Sequence, residues 1–162
     1  MSESLWTAQV LEGIRARLAS RLADVLVLIQ ADGGSAVSAP VSFEVRENLD
    51  GVNALPGVMV STGGEVESEL LMPSSYRLRV PLRVTSIVSP ESGPNMGEAA
   101  RTYNRGVINV LTETDTVTDV TGLFYVGEVQ SRIEQSGEGT RKWRRLGVVD
   151  AILFVATTRE LS

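Results

Sequence analysis

The chain has no cysteine, no histidine and a single lysine, Lys142, among its 162 residues. Without cysteine there can be no disulfide framework and no thiolate metal site. Without histidine the chain lacks the commonest metal ligand and the side chain most often used as a general base near neutral pH. Serine–histidine–aspartate chemistry is excluded with it, and Lys142 is left as the only lysine base. No apolar run approaches the ~18 residues that a membrane-spanning helix needs. Met1 to Trp6 lack the basic and apolar blocks of a secretory signal. A cytoplasmic product with no membrane partner is expected.

What is present is ordinary in bulk: 43% apolar and 22% charged residues, with a net charge of −5. That is the profile of one globular domain over residues 1–162, and its acidity argues against a dedicated nucleic-acid binder. The basic residues are unusual in kind, since all but Lys142 are arginine. Arginine's planar fork suits bidentate pairing with carboxylates across interfaces, although the coding bias of a GC-rich genome is the plainer main cause.

The most informative stretch is Tyr76 to Val84. Tyr76, Leu78, Val80, Leu82 and Val84 alternate with Arg77, Arg79, Pro81 and Arg83. In a strand this puts one face in a core and three arginines on the other. Pro81 has no N–H for a ladder, which suits a sheet margin, a bulge or a strand end. The strand extends to about Val88.

Upstream, Leu11, Ile14, Leu18, Leu22, Val25 and Ile29 recur at spacings of three and four, which predicts a long N-terminal helix from Ser4 to Ala31 stopped by Gly33-Gly34. Leu26 and Leu28 widen its apolar face, so this end is expected to pack more deeply or to break into a strand. Residues 33–57 read as an extended arm or weak edge strand through Val37, Val41, Phe43 and Val45, and Val58 and Val60 open a short strand. Residues 63–75 read as an acidic loop. A second helix is expected from Asn95, with Glu98 as its reciprocal cap and Met96, Ala100, Tyr103, Val107, Val110 and Leu111 as its stripe. Arg101 and Arg105 lie one turn apart off that stripe, where like charges ask for partners outside the helix. A Thr-rich loop, Thr112–Gly122, precedes a hairpin. Its first strand, through Tyr125, Val129 and Ile133, has one wet face. Its second, Trp143 to Thr157, is apolar from Leu146 to Ala156 except at Asp150, and is expected to be central and buried on both faces. The expected fold class is α+β: a mostly antiparallel sheet with two helices packed on it.

Candidate chemistry is thin. Glu113, Asp115 and Asp119 could be taken for a calcium loop, but the pattern fails at Val117, Thr118 and Phe124, and a solvated acidic loop is the plainer account. The glycine pairs lack the Lys-Ser/Thr of a phosphate loop. Arg141-Lys142-Trp143-Arg144-Arg145 resembles a base-stacking patch, against which stands the overall acidity. Seven of the 15 basic residues fall in 77–83 and 141–145. A basic patch on an acidic body suits self-association between unlike surfaces, head to tail around a ring.

The order of elements resembles that of the tail terminator proteins of long-tailed bacteriophages, the group of the lambda tail terminator. The resemblance rests on the long first helix, the Leu55-Pro56-Gly57-Val58 entry into a short strand and the long strand Tyr76–Val88. It extends to the helix begun by Glu98 to Tyr103 and the closing hairpin. It implies a structural virion protein, assembled in the host cytoplasm, that forms a hexameric ring, caps the tail tube and later joins the head side. Its partners would be further copies of itself, the major tail tube protein and a head-side connector or neck protein, with DNA passing through the lumen without specific binding. It implies no cofactor, no metal and no catalytic residue. The expected subunit interface draws on Arg77, Arg79, Arg83, Arg101, Arg105, Arg144 and Arg145, facing carboxylates such as Glu65, Glu67, Glu69, Glu113 and Asp115. The loops 61–75 and 112–122 are expected to control docking. The alternatives are another phage connector, in the neck or at head closure, and a small bacterial α+β enzyme or ligand-binding module.

Overall fold

The computed structural model describes residues 3–34, 36–46, 55–72, 75–88, 95–113, 124–136 and 144–157. The three-and-four spacing of apolar residues emerges as one unbroken helix, α1 (Glu3–Ala31), on which Val10, Ile14, Leu18, Leu22 and Leu26 are almost wholly buried. Gly33 stops it. At φ 95° it takes the left-handed conformation that costs glycine nothing. From there the N–H of Gly33 bonds to the carbonyl of Gln30, and that of Gly34 to Ile29. These two bonds satisfy carbonyls that the helix end would leave open. The end of α1 differs from expectation. It does not break into a strand, and Leu26 packs deeply at 1% exposed, but Val27 and Leu28 point away from the stripe and are 65% and 64% exposed.

The strands are β1 (Ser42–Val45), β2 (Gly57–Thr62), β3 (Glu67–Met72), β4 (Ser75–Ile87), β5 (Phe124–Ser136) and β6 (Arg144–Thr157). They form one mixed sheet in the order β1-β2-β4-β6-β5, with β3 also on β4. Among the described residues only β1 and β2 pair in parallel, and every other pairing is antiparallel. The fold is therefore α+β, as the alternating strands and one-striped helices predict.

Three expectations are corrected. First, β4 is not marginal, because it pairs with β6 along its length and shares its other edge between β2 and β3. Pro81 is accommodated by a bulge: the register passes from Thr62↔Leu82 to Glu67↔Arg79, so that four residues of one strand oppose two of the other. A strand with no N–H to offer there makes its neighbour bow out, held by the bond from Gly63 N–H to the Pro81 carbonyl at 2.9 Å. Second, the acidic segment after that bulge is strand β3, since β4 supplies a ladder that the segment's own composition does not advertise. The segment 61–75 is thus mostly sheet, whereas residues 114–122 lie outside those described. Third, β6 is central, but helices cover only one of its faces. Val149, Ala151 and Leu153 are buried beneath them; on the other face Leu146 and Val148 are buried as expected, whereas Ile152 and Phe154 are only half-buried.

The second helix, α2 (Met96–Leu111), buries Ala100, Tyr103, Val107, Val110 and Leu111 as its periodicity requires. Asn95 sits at its start with φ −93° and ψ 14°, outside the extended region from which a cap side chain reaches back, and makes no cap bond. Glu98 pairs with Arg101 instead. Helix α1 lies over β1 and β2, and α2 lies over β4, β6 and β5. The two helices meet where Gly106 admits Leu22 and Leu26.

Tyr103, 2% exposed, donates its hydroxyl to the Ser38 carbonyl at 2.6 Å and ties the arm before β1 to α2. Burial pushes its pKa up to about 12. The folded value exceeds the ordinary one of 10.0, so the contribution to stability is complete below pH 10 and is lost as pH rises through about 12. Tyr103→Phe is expected to cost about 1 kcal/mol at neutral pH. Chemical denaturation from pH 8 to 12 should show the variant losing less stability than the parent at the alkaline end.

Candidate functional site

Even-numbered residues of β4 (Val80, Leu82, Val84) enter the helix-covered core, so its odd-numbered residues occupy the opposite sheet face. Register sets Arg83 beside Asp150 of β6, and Gln130 of β5 opposite Asp150 on its other side. Arg83 Nε lies 2.8 Å from Asp150 Oδ1 and its Nη2 3.4 Å from Oδ2. Arg132 Nη1 bonds to the same Oδ2, and Arg132 Nε reaches Glu134 at 2.5 Å. The result is a charge chain, Arg83–Asp150–Arg132–Glu134, laid across three strands.

Partial burial works to raise the pKa of Asp150, but the bonds and charges of Arg83 and Arg132 outweigh it and hold the carboxylate below its usual range. Arg132 is raised in turn, mainly by its bonds to Asp150 and Glu134. A second set lies alongside: Arg79 Nη2 is 3.5 Å from Glu128 and its Nη1 3.9 Å from Glu67. Glu128 reaches this position from a bulge between Gly127 and Gln130, at φ 51°. Between the two sets lies an open depression of about 480 Å³, bordered by Pro81, Arg83, Glu128, Gln130, Asp150 and Ile152. On the same face Met59, Ile87, Leu146 and Val148 form a small buried apolar cluster.

The expected interface residues fall into separate places. Arg79 and Arg83 are engaged within their own chain, and so are two of their intended partners. Glu67 faces Arg79, and Glu113 binds Arg21, with Nη2–Oε1 at 2.5 Å and Nε–Oε2 at 3.1 Å. The bond to Arg21 holds Glu113 below its ordinary pKa. Arg77 and Glu69 are cross-strand neighbours in the β3–β4 register. Glu65 is exposed in the bulge after β2. Arg144 opens β6 opposite Ser136, and half-buried Arg145 accepts a backbone bond from Val88 through its carbonyl. Asp115 and the 141–143 part of the basic–aromatic cluster lie outside the described residues.

Arg101 and Arg105 are elsewhere, on the outer side of α2. They border a second groove of about 510 Å³ between that helix and β5, with Ile108 and Ile133 in its lining. Arg101 pairs with Glu98, whereas exposed Arg105 has no charged partner among the described residues. The residues that sequence reasoning missed are Asp150 and Arg132 as the hub of the charge chain. The signal for Asp150 was there, as the lone charge in the apolar run 146–156.

Chemically this face can bind and orient, since it offers fixed guanidiniums and carboxylates around a shallow basin. No cluster of three or more potential metal ligands occurs among the described residues. Among them, too, no helix is long and apolar enough to cross a membrane. No protein-family model matches the chain, and no curated protein matches it.

Proposed function

We propose that the protein is a structural component of a phage virion, a ring-forming tail terminator that caps the tail tube and carries the head-side joint. One observation carries the reading: the molecule has unlike lateral ends. The sheet stops at β1 on one side and β5 on the other, each paired along one edge only among the described residues. Unlike ends that fit one another generate head-to-tail contacts, and such contacts close into rings. The ion-paired sheet face fits the same role, because Arg79, Arg83 and Arg132 are already satisfied by carboxylates of their own chain and leave the surface suited to shape-dependent contact. The partners in this reading are further copies of the chain, the tail tube protein and a head-side connector, with the virion's head–tail junction as its location. A net charge of −5 suits a lumen through which DNA passes without being held.

Negative-stain microscopy of the purified chain should show rings of uniform diameter with a central hole. Added to growing tail tubes, the rings should stop elongation. A chain that sediments as monomer throughout the micromolar range, or that binds duplex DNA tightly at ~150 mM salt, would count against the reading. Rings found away from the tube end in a virion reconstruction would indicate a neighbouring connector.

A further inference from the structure

We infer that the subunits join by a specific knob and groove: the C-terminal end of α1 on one copy enters the α2–β5 groove of the next. The inference rests on the ring reading for closure, but its surfaces are argued independently.

The knob is Val27 and Leu28. They are adjacent, 65% and 64% exposed, and sit where the helix lies over the β1 side of the sheet. Val41, just before β1, and Val45, its last residue, are 64% and 41% exposed on that same side. Large apolar side chains this exposed are ordinary when scattered; grouped at one end of a molecule they mark a contact. Asp24, one turn before Leu28, and Asp32, at the helix end, put carboxylates on both sides of the knob. Asp24 has Arg21 3.6 Å away, but that arginine makes its closer bond to Glu113, so Asp24 stays open to another cation.

The groove is at the other end of the helix layer. Its lining includes Ile108 and Ile133, and Arg101 and Arg105 border it. Arg105 is exposed and has no charged partner among the described residues, whereas Arg15, Arg21, Arg79, Arg83, Arg101 and Arg132 each lie within ion-pair distance of a carboxylate. An apolar knob with acidic flanks complements an apolar groove with a basic rim. The two lie over opposite sheet margins, so one copy's knob cannot fill its own groove. The occupant that fits is a second copy, bound through unlike surfaces.

The experiment uses two single-ended variants of the full chain, Leu28→Asp and Arg105→Glu. Both positions are exposed, so folding should be unchanged, as circular dichroism and melting can verify. In sedimentation velocity each variant alone should self-associate at least roughly tenfold more weakly than the parent. Mixed, they should form a one-to-one dimer, because Leu28→Asp keeps an intact groove and Arg105→Glu an intact knob. If the parent assembles and both variants assemble as well as it does, the knob and groove are wrong while the ring reading survives. If the variants stay monomeric when mixed, the contact is not heterologous and the inference fails. A parent that is monomeric at every concentration overturns both.

Discussion

Replacing Gly147 by alanine is expected to lower the unfolding midpoint by roughly 5–10 °C, through a loss of about 2–3 kcal/mol. Two effects compete. A strand glycine gives up more conformational freedom on folding than alanine, so the substitution by itself favours the fold by about 0.5–1 kcal/mol. Against this, a Cβ at position 147 would lie 2.5 Å from Asn104 Oδ1 and 2.8 Å from the Ala100 carbonyl oxygen. The second contact decides the sign, because that oxygen belongs to the backbone of α2 and moves only if the helix lifts from the sheet. Lifting it would also strain the bond from Asn104 Nδ2 to the Arg132 carbonyl, which fastens α2 to β5. A Gly147→Ala/Asn104→Ala pair should be less destabilised than the sum of the singles, since one of the two clashes is gone, yet still less stable than the parent. Thermal melts of the four proteins would measure the coupling. Equal midpoints for Gly147→Ala and parent would mean that α2 adjusts at no cost.

How much of this was readable beforehand depends on where the determining interaction lies. Helix α1, α2 and strand β4 were legible because their signal is local: a repeat of three and four, or of two, along consecutive residues. Gly33 was legible as a stop for the same reason. Strand β3 was not, since Glu67 to Met72 has neither alternation nor β-branched residues, and becomes a strand only through β4. The arginine face of β4 could be drawn from sequence, but not its occupants. Arg83 finds Asp150 across 67 residues, and Arg21 finds Glu113 across 92. Alternation says which way a side chain points and nothing about what stands opposite. The positions of the exposed apolar pair show the same limit. Val27 and Leu28 extend the apolar run of α1 in sequence, yet one step of 100° per residue carries them off the buried stripe.

The charge chain gives the other large expected effect. Asp150→Ala should cost about 2 kcal/mol at neutral pH. Two charge-assisted bonds of about 1.5–3 kcal/mol each would suggest more, but the arginine side chains are 40% exposed, and solvent reduces what their loss can cost. What remains is the convergence of Arg83 and Arg132 with no carboxylate between them. Asp150→Asn separates charge from shape, because the amide keeps the volume and can still accept one bond. The sign with pH follows from the direction of the shift. The folded pKa of Asp150 lies below its ordinary 3.8, so its contribution is complete above about that pH and fades as pH falls through the lower folded value. The gap between parent and Asp150→Asn should therefore be constant from neutral pH down to about 4 and close below it. Urea titrations at pH 7, 4 and 2.5 would follow it. A gap that persists at the lowest pH would assign the effect to packing in the basin rather than to the ion pairs.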